Sequence, residues 1–196
     1  MAERSHTICL AKGNNVKGIV SNPLLRFLIS GLFLYVGWYF FYEFYLHPHT
    51  NFDKVVINSL VELSQSTLHV VGYSTTNYAA EDVEFHEHIG IQGFKGLTIG
   101  APCDGVILYA LFIIFVVAFP GPLKHKLWYI PIGAFTVYYV NVLRIVALAI
   151  IMSINEEWLA FNHDYTFTIL VYAYVFALWM IWVKRFSGLS NQPKAA

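Results

Sequence analysis

Between positions 127 and 152 the chain meets a single charged residue, Arg144. A run of this kind is hard to house in a water-soluble fold. It suits a bilayer, whose hydrocarbon core of ~30 Å is crossed by about 20 predominantly apolar residues in a helix. Inside lipid each backbone polar group must be satisfied within its own segment, so the run reads as a membrane helix. Three more apolar runs accompany it. One covers 27–46 and carries only Glu43; one covers about 103–119 and is stopped by Pro120-Gly121-Pro122; one covers 165–183 and ends at Lys184-Arg185. From Arg26 to His47 the first would measure about 32 Å as a helix.

Composition narrows the class further. Charged residues make up 12% of the 196-residue chain, against about 25% in an ordinary soluble domain. Hydrophobic residues reach 57%, which excludes an intrinsically disordered chain. Lys+Arg and Asp+Glu both total 12, so there is no basic excess with which to hold nucleic-acid phosphates. The expectation is a single-domain, all-α polytopic membrane protein over 1–196, with four transmembrane helices. The polar opening stretch, 1–25, does not read as a secretory signal, because the first apolar run is too long for an h-region.

The segment 47–102 between the first two spans has its own pattern. Val56, Leu60, Leu63 and Leu68 recur at roughly helical spacing among Asp53, Lys54, Glu62, Gln65 and His69. This predicts an amphipathic helix over 52–72, lying on the membrane surface. Val83/Phe85 and Ile89/Ile91 then alternate with polar residues, Gly93-Phe94-Lys95-Gly96 marks a turn, and Leu97/Ile99 alternate again. That reads as a short β-hairpin leading into Ala101-Pro102-Cys103-Asp104-Gly105. Residues 153–162 read as a loop.

Charge orients the spans, because basic residues collect on the cytoplasmic side. With the N-terminus inside and four spans, Arg4, Lys12, Lys17, Arg26, Lys124, Lys126, Lys184, Arg185 and Lys194 all fall inside. That is nine of the 12 basic residues, with one acid, Glu3. Segments 47–102 and 153–163 then lie outside and both termini are cytoplasmic. Cys103 opens the second span at its outer end. Arg144 stands about 27 Å above Lys126 at ~1.5 Å per residue, near the same boundary. His163 opens the fourth span there too. Cys9 lies on the opposite side, which excludes a Cys9–Cys103 disulfide.

Three chemically capable side chains thus share one level. Cys103 follows a proline and starts a helix, where the macrodipole favours a thiolate; Asp104 beside it opposes that. Arg144 is either a snorkelling cation or a functional donor. Asn141, one turn away on the same face, favours the second. His163 is either a surface loop residue or an acid/base, with Asp164 as its orienter or as a helix cap. His47, His49, His69, His86 and His88 read as residues of flexible or surface segments. His86 and His88 share a strand face, as in some metal sites, but spacing supplies no third ligand, and a solvated face is the simpler reading.

Ala101-Pro102-Cys103-Asp104-Gly105 opening a span, Asn141-Val142-Leu143-Arg144, and Asn162-His163-Asp164 opening the next span together resemble the motifs of the exosortase/archaeosortase family of membrane transpeptidases. The likeness covers about 95–185. The family often has Ser or Asn after the cysteine, where this chain has Asp104, and its larger members have further spans. The resemblance implies a cysteine transpeptidase of the bacterial cytoplasmic (inner) membrane with an extracytoplasmic active site. Its substrates would be secreted proteins bearing a C-terminal transmembrane sorting signal. Cys103 would form a thioester, Arg144 would stabilise the oxyanion, and His163 would move protons. Asn141, Asp104 and Asp164 would support them, and an acceptor nucleophile would release the product. Neither a metal nor an organic cofactor is implied. Two other readings stay open: a thiol protease that resolves the thioester with water, and a non-enzymatic membrane assembly factor for surface-polysaccharide or protein export.

Overall fold

The computed structural model describes residues 23–78, 87–94, 96–99 and 104–187. Six helices and three short strands make up this part of the chain: α1 (Pro23–Phe41), α2 (Phe52–Val70), β1 (Thr75–Tyr78), β2 (Glu87–Ile91), β3 (Leu97–Ile99), α3 (Val106–Ala118), α4 (Leu123–Ile154), α5 (Glu157–Phe161) and α6 (Phe167–Arg185). A π-helical turn, Tyr42–Leu46, extends α1 into a last turn, His47–His49. A second π-helical turn, Asn162–Thr166, joins α5 to α6.

Three helical stretches are long and apolar enough to cross a membrane: Leu24–His49, Leu123–Ile154 and Glu157–Arg185, of 26, 32 and 29 residues. The run expected at 103–119 forms the shorter α3, of 13 residues. At ~1.5 Å per residue it measures about 20 Å, less than the ~30 Å of a hydrocarbon core. Its limits have local causes. Gly105 adopts a left-handed φ of 79° just before it, and Pro120 and Pro122, which have no N–H to donate, follow it. Although short, α3 sits at the centre of the bundle and touches α1, α4 and α6.

Two clusters form the core. In one, Leu108, Phe112 and Val116 of α3 pack with Tyr129 and Val137 of α4 and with Val171, Val175 and Trp182 of α6. Tyr129 donates its hydroxyl hydrogen to the Leu178 carbonyl (2.7 Å), which joins α4 to α6. In the other, Ile57, Leu60, Val61 and Leu68 of α2 pack with Ile89, Ile91 and Ile99 of the sheet and with Val142, Ile145, Val146 and Ala149 of α4. The apolar stripe of α2 is therefore turned onto protein. Leu60 and Leu68 belong to it, whereas Val56 and Leu63 are only half-buried at its edge. By contrast α1 exposes Leu28, Leu32, Phe33, Val36 and Phe40, the outward apolar surface that suits a lipid neighbour.

The hairpin expected around Gly93 is present as β2 and β3, antiparallel with Ile89 opposite Leu97. Its continuation through Val83 and Phe85 lies outside the described residues. A third strand, β1, pairs with the other edge of β2 and sets Thr75 opposite Ile91. The loop expected over 153–162 is much shorter. Ser153 and Ile154 finish α4, and the helix resumes at Glu157. Asn155 makes the break: its backbone is extended, and its side-chain oxygen accepts the Glu157 N–H at 2.9 Å, capping the new helix.

Candidate active site

Asp104 and Gly105 form a tight turn ahead of α3. The Val106 N–H donates to Asp104 Oδ1 at 2.8 Å, which supplies one of the unpaired donors at a helix start. Gly105 is required here twice over. Its φ is left-handed, and a Cβ on it would stand 3.1 Å from Asn141 Nδ2. Asn141, 0% exposed, thus packs its amide directly over the turn. Arg144 follows one turn later on α4, so one helical face carries both residues to the Asp104 turn.

His163 reaches the same place from the π-helical turn between α5 and α6. Its Nε2 lies 3.4 Å from Arg144 Nη2. A guanidinium only donates, so Nε2 is the acceptor of that contact. Its Nδ1 lies 2.9 Å from Asp164 Oδ1, and Thr168 Oγ1 donates to its carbonyl at 2.9 Å. His163 is the second residue of that π turn. Asp104, Arg144, His163, Asp164, Thr168 and Tyr172 line one cleft of about 250 Å³. Arg144 Nε is buried there with no acceptor among the described residues. It is a donor ready for an oxygen.

The structure thus brings together Asp104, Asn141, Arg144, His163 and Asp164 from three separate stretches of sequence. Cys103 precedes Asp104 in the chain and lies outside the described residues, as does His86. His88 is in β2, opposite Tyr78 on one side and Thr98 on the other. Among the described residues no three His, Cys, Asp or Glu side chains are grouped to hold a metal ion.

One network escaped the sequence reading. Asp53, in the first turn of α2, is 1% exposed. It accepts a hydrogen bond from the Tyr42 hydroxyl at 3.0 Å, and its Oδ2 lies 2.6 Å from His47 Nδ1. His47 is therefore anchored rather than part of a loose surface segment. An Asp in the first turn of an amphipathic helix reads as a solvated residue complementing the dipole, and nothing local announces its burial. The network bears on Asp104. Burial, the larger cause, and the charge of Asp53 push the Asp104 carboxyl from 3.8 up to about 6, against the Val106 N–H and His47, which pull it down. The group lies in the turn outside α3, and its side chain is nearly inaccessible to solvent.

No protein-family model, curated protein or solved structure matches the chain.

Proposed function

We propose that this protein is a cysteine transpeptidase of the exosortase/archaeosortase type in a bacterial cytoplasmic membrane. It would cleave C-terminal sorting signals from secreted proteins. The observation that carries the reading is the cleft, where Asp104, Arg144 and His163, residues of three distinct motifs, line one wall together.

In this reading α3 is a fourth, short span, and the Asp104 turn forms its outer end. Nine of the 12 basic residues then lie on the cytoplasmic side with both termini. The amphipathic helix α2 and the sheet cap the outer ends of the spans. A substrate's transmembrane signal lodges against the exposed apolar helices and presents its scissile peptide to the cleft. The Cys103 thiolate attacks the carbonyl carbon and forms a thioester. Arg144 donates to the oxygen as charge develops on it, through the buried Nε that has no acceptor among the described residues. His163, oriented by Asp164, takes the thiol proton to give that thiolate and passes it to the nitrogen, which leaves as a neutral amine as the C–N bond breaks. An acceptor nucleophile, or water, then releases the product.

The test is made in the native host. Membrane and secreted proteomes of cells carrying the wild-type chain or Cys103→Ala are compared by mass spectrometry. The expected result is a set of secreted proteins that keep their C-terminal apolar helix only in the mutant, while Cys9→Ser changes nothing. Identical C-termini in both strains would discard the enzyme and favour an assembly factor.

A further inference from the structure

At the end of the bundle away from the cleft, α3 stops at Ala118 and Pro120-Gly121-Pro122 follows. Between that end and the starts of α1 and α4 lies a cavity of about 480 Å³. Two cations line it, Arg26 from α1 and Lys126 from α4, and no acidic residue does. Lys126 is about 27 Å along α4 from Arg144 at ~1.5 Å per residue, so this cavity is separate from the candidate active site.

Both cations are held in place. Phe27, next to Arg26, sets its ring edge-on to Phe115 and Phe119, with centres 5.3 and 5.0 Å apart, which fixes the start of α1 against the end of α3. Lys126 Nζ donates to the Val117 carbonyl at 2.7 Å, one of the carbonyls that a helix leaves unpaired in its last turn. An ammonium has three protons, so two donors remain for a ligand. Neither cation forms an ion pair with a carboxylate among the described residues. Two positive charges on one cavity repel each other and are relieved by an anion between them.

Val117 and Lys126 also line a second cavity, of about 630 Å³. Apart from Lys124 and Lys126 its walls are apolar, with Leu123, Leu127, Ile130 and Pro131. Leu123 and Leu127 are each 81% exposed. A basic pocket thus adjoins an apolar groove, and a bare anion would use only the first. Residues 1–22 carry Arg4, Lys12 and Lys17 against one acid, Glu3, so their charge does not complement the pocket. The end of α6 brings more positive charge to the same end of the bundle. Phe186 stacks near His125, 5.4 Å between ring centres, directly after Lys184-Arg185.

We propose that this end of the bundle binds one anionic phospholipid. Its phosphodiester lies between Arg26 and Lys126, and an acyl chain follows the groove along Leu127 and Ile130. The lipid ties α1 to α4 across the short α3. With the basic end cytoplasmic, the site opens to the leaflet in which anionic lipids collect. The proposal does not depend on the transpeptidase reading.

The test titrates the full-length protein in detergent micelles with phosphatidylglycerol, and separately with phosphatidylcholine of the same acyl chains, and counts bound lipid by native mass spectrometry. The expected result is one retained phosphatidylglycerol, held about tenfold or more tightly than phosphatidylcholine, and not displaced by millimolar inorganic phosphate. Arg26→Gln removes an exposed cation and leaves the Lys126–Val117 contact in place. It is expected to weaken phosphatidylglycerol about fivefold and leave phosphatidylcholine unchanged. The double variant Lys184→Gln/Arg185→Gln removes cations outside both cavities and is expected to change neither affinity. Equal affinity of the wild type for the two lipids would overturn the proposal without any variant. So would an equal loss in Arg26→Gln and in the double variant, which would mean general surface attraction. Displacement by inorganic phosphate would replace the lipid site with a simple anion site.

Discussion

Gly133→Ala tests how closely α3 and α4 approach. A Cβ at Gly133 would stand 2.1 Å from Phe112 Cζ and 2.6 Å from Cε1, where ordinary carbon contacts are about 3.5–4.0 Å. Phe112 cannot retreat easily. It is 0% exposed and packed in the cluster with Leu108, Val116 and Val137. Overpacking of this kind costs typically about 1–3 kcal/mol, and so deep an overlap belongs at the upper end. Helix propensity works the other way, since Ala is favoured over Gly by about 0.8–1.0 kcal/mol in a helix interior. The expected net effect is a loss of about 2 kcal/mol. Reversible unfolding in mixed detergent micelles would measure it. Phe112→Leu introduced into Gly133→Ala is expected to recover part of the loss, with a coupling energy of about 1 kcal/mol or more. A Gly133→Ala protein as stable as the wild type, with no coupling to position 112, would refute the close approach of the two helices.

Gly105→Ala is expected to cost about 1–2 kcal/mol for its left-handed backbone alone, with added crowding against Asn141, read from the same unfolding transition. Asp53→Ala removes the acceptor for Tyr42 and His47. A lost partner costs about 1–3 kcal/mol when the group left behind is buried, and His47 can still reach water, so a destabilisation of about 2 kcal/mol is expected. Arg144→Lys should fold normally but process substrate about 100-fold more slowly, because a point charge replaces a fork of donors; a near wild-type rate would leave Arg144 as an interfacial anchor. Asp104 also sets a pH dependence of stability. Its folded-state pKa, about 6, lies above the unfolded 3.8, so its contribution is complete below pH 3.8 and is lost as pH rises through about 6. The loss is on the order of 2–3 kcal/mol, and comparing thermal unfolding of wild type and Asp104→Asn across this range would reveal it as a difference that grows with pH.

The long helices were legible in the sequence because the features that make them are local. An apolar run ended by Pro120-Gly121-Pro122 or by Lys184-Arg185 specifies a helix and its end without reference to the rest of the chain. The β2–β3 hairpin was legible for the same reason, through alternation on either side of Gly93. Strand β1 was not. Its residues Thr75-Thr76-Asn77-Tyr78 carry no apolar alternation, and it exists by pairing with an edge that other residues build. The level shared by Arg144 and His163 followed from counting residues along helices. Their 3.4 Å contact did not, since it depends on a π turn and on the crossing of α4 with α6. Burial decided the rest. Asp53 reads as a solvated first-turn residue in sequence, yet Tyr42 and His47 meet it and it is 1% exposed; Asp104, in the turn packed beneath Asn141, is 3% exposed. A carboxyl's charge depends on the water it has lost and the charges that face it, and both are set by chain segments distant in sequence.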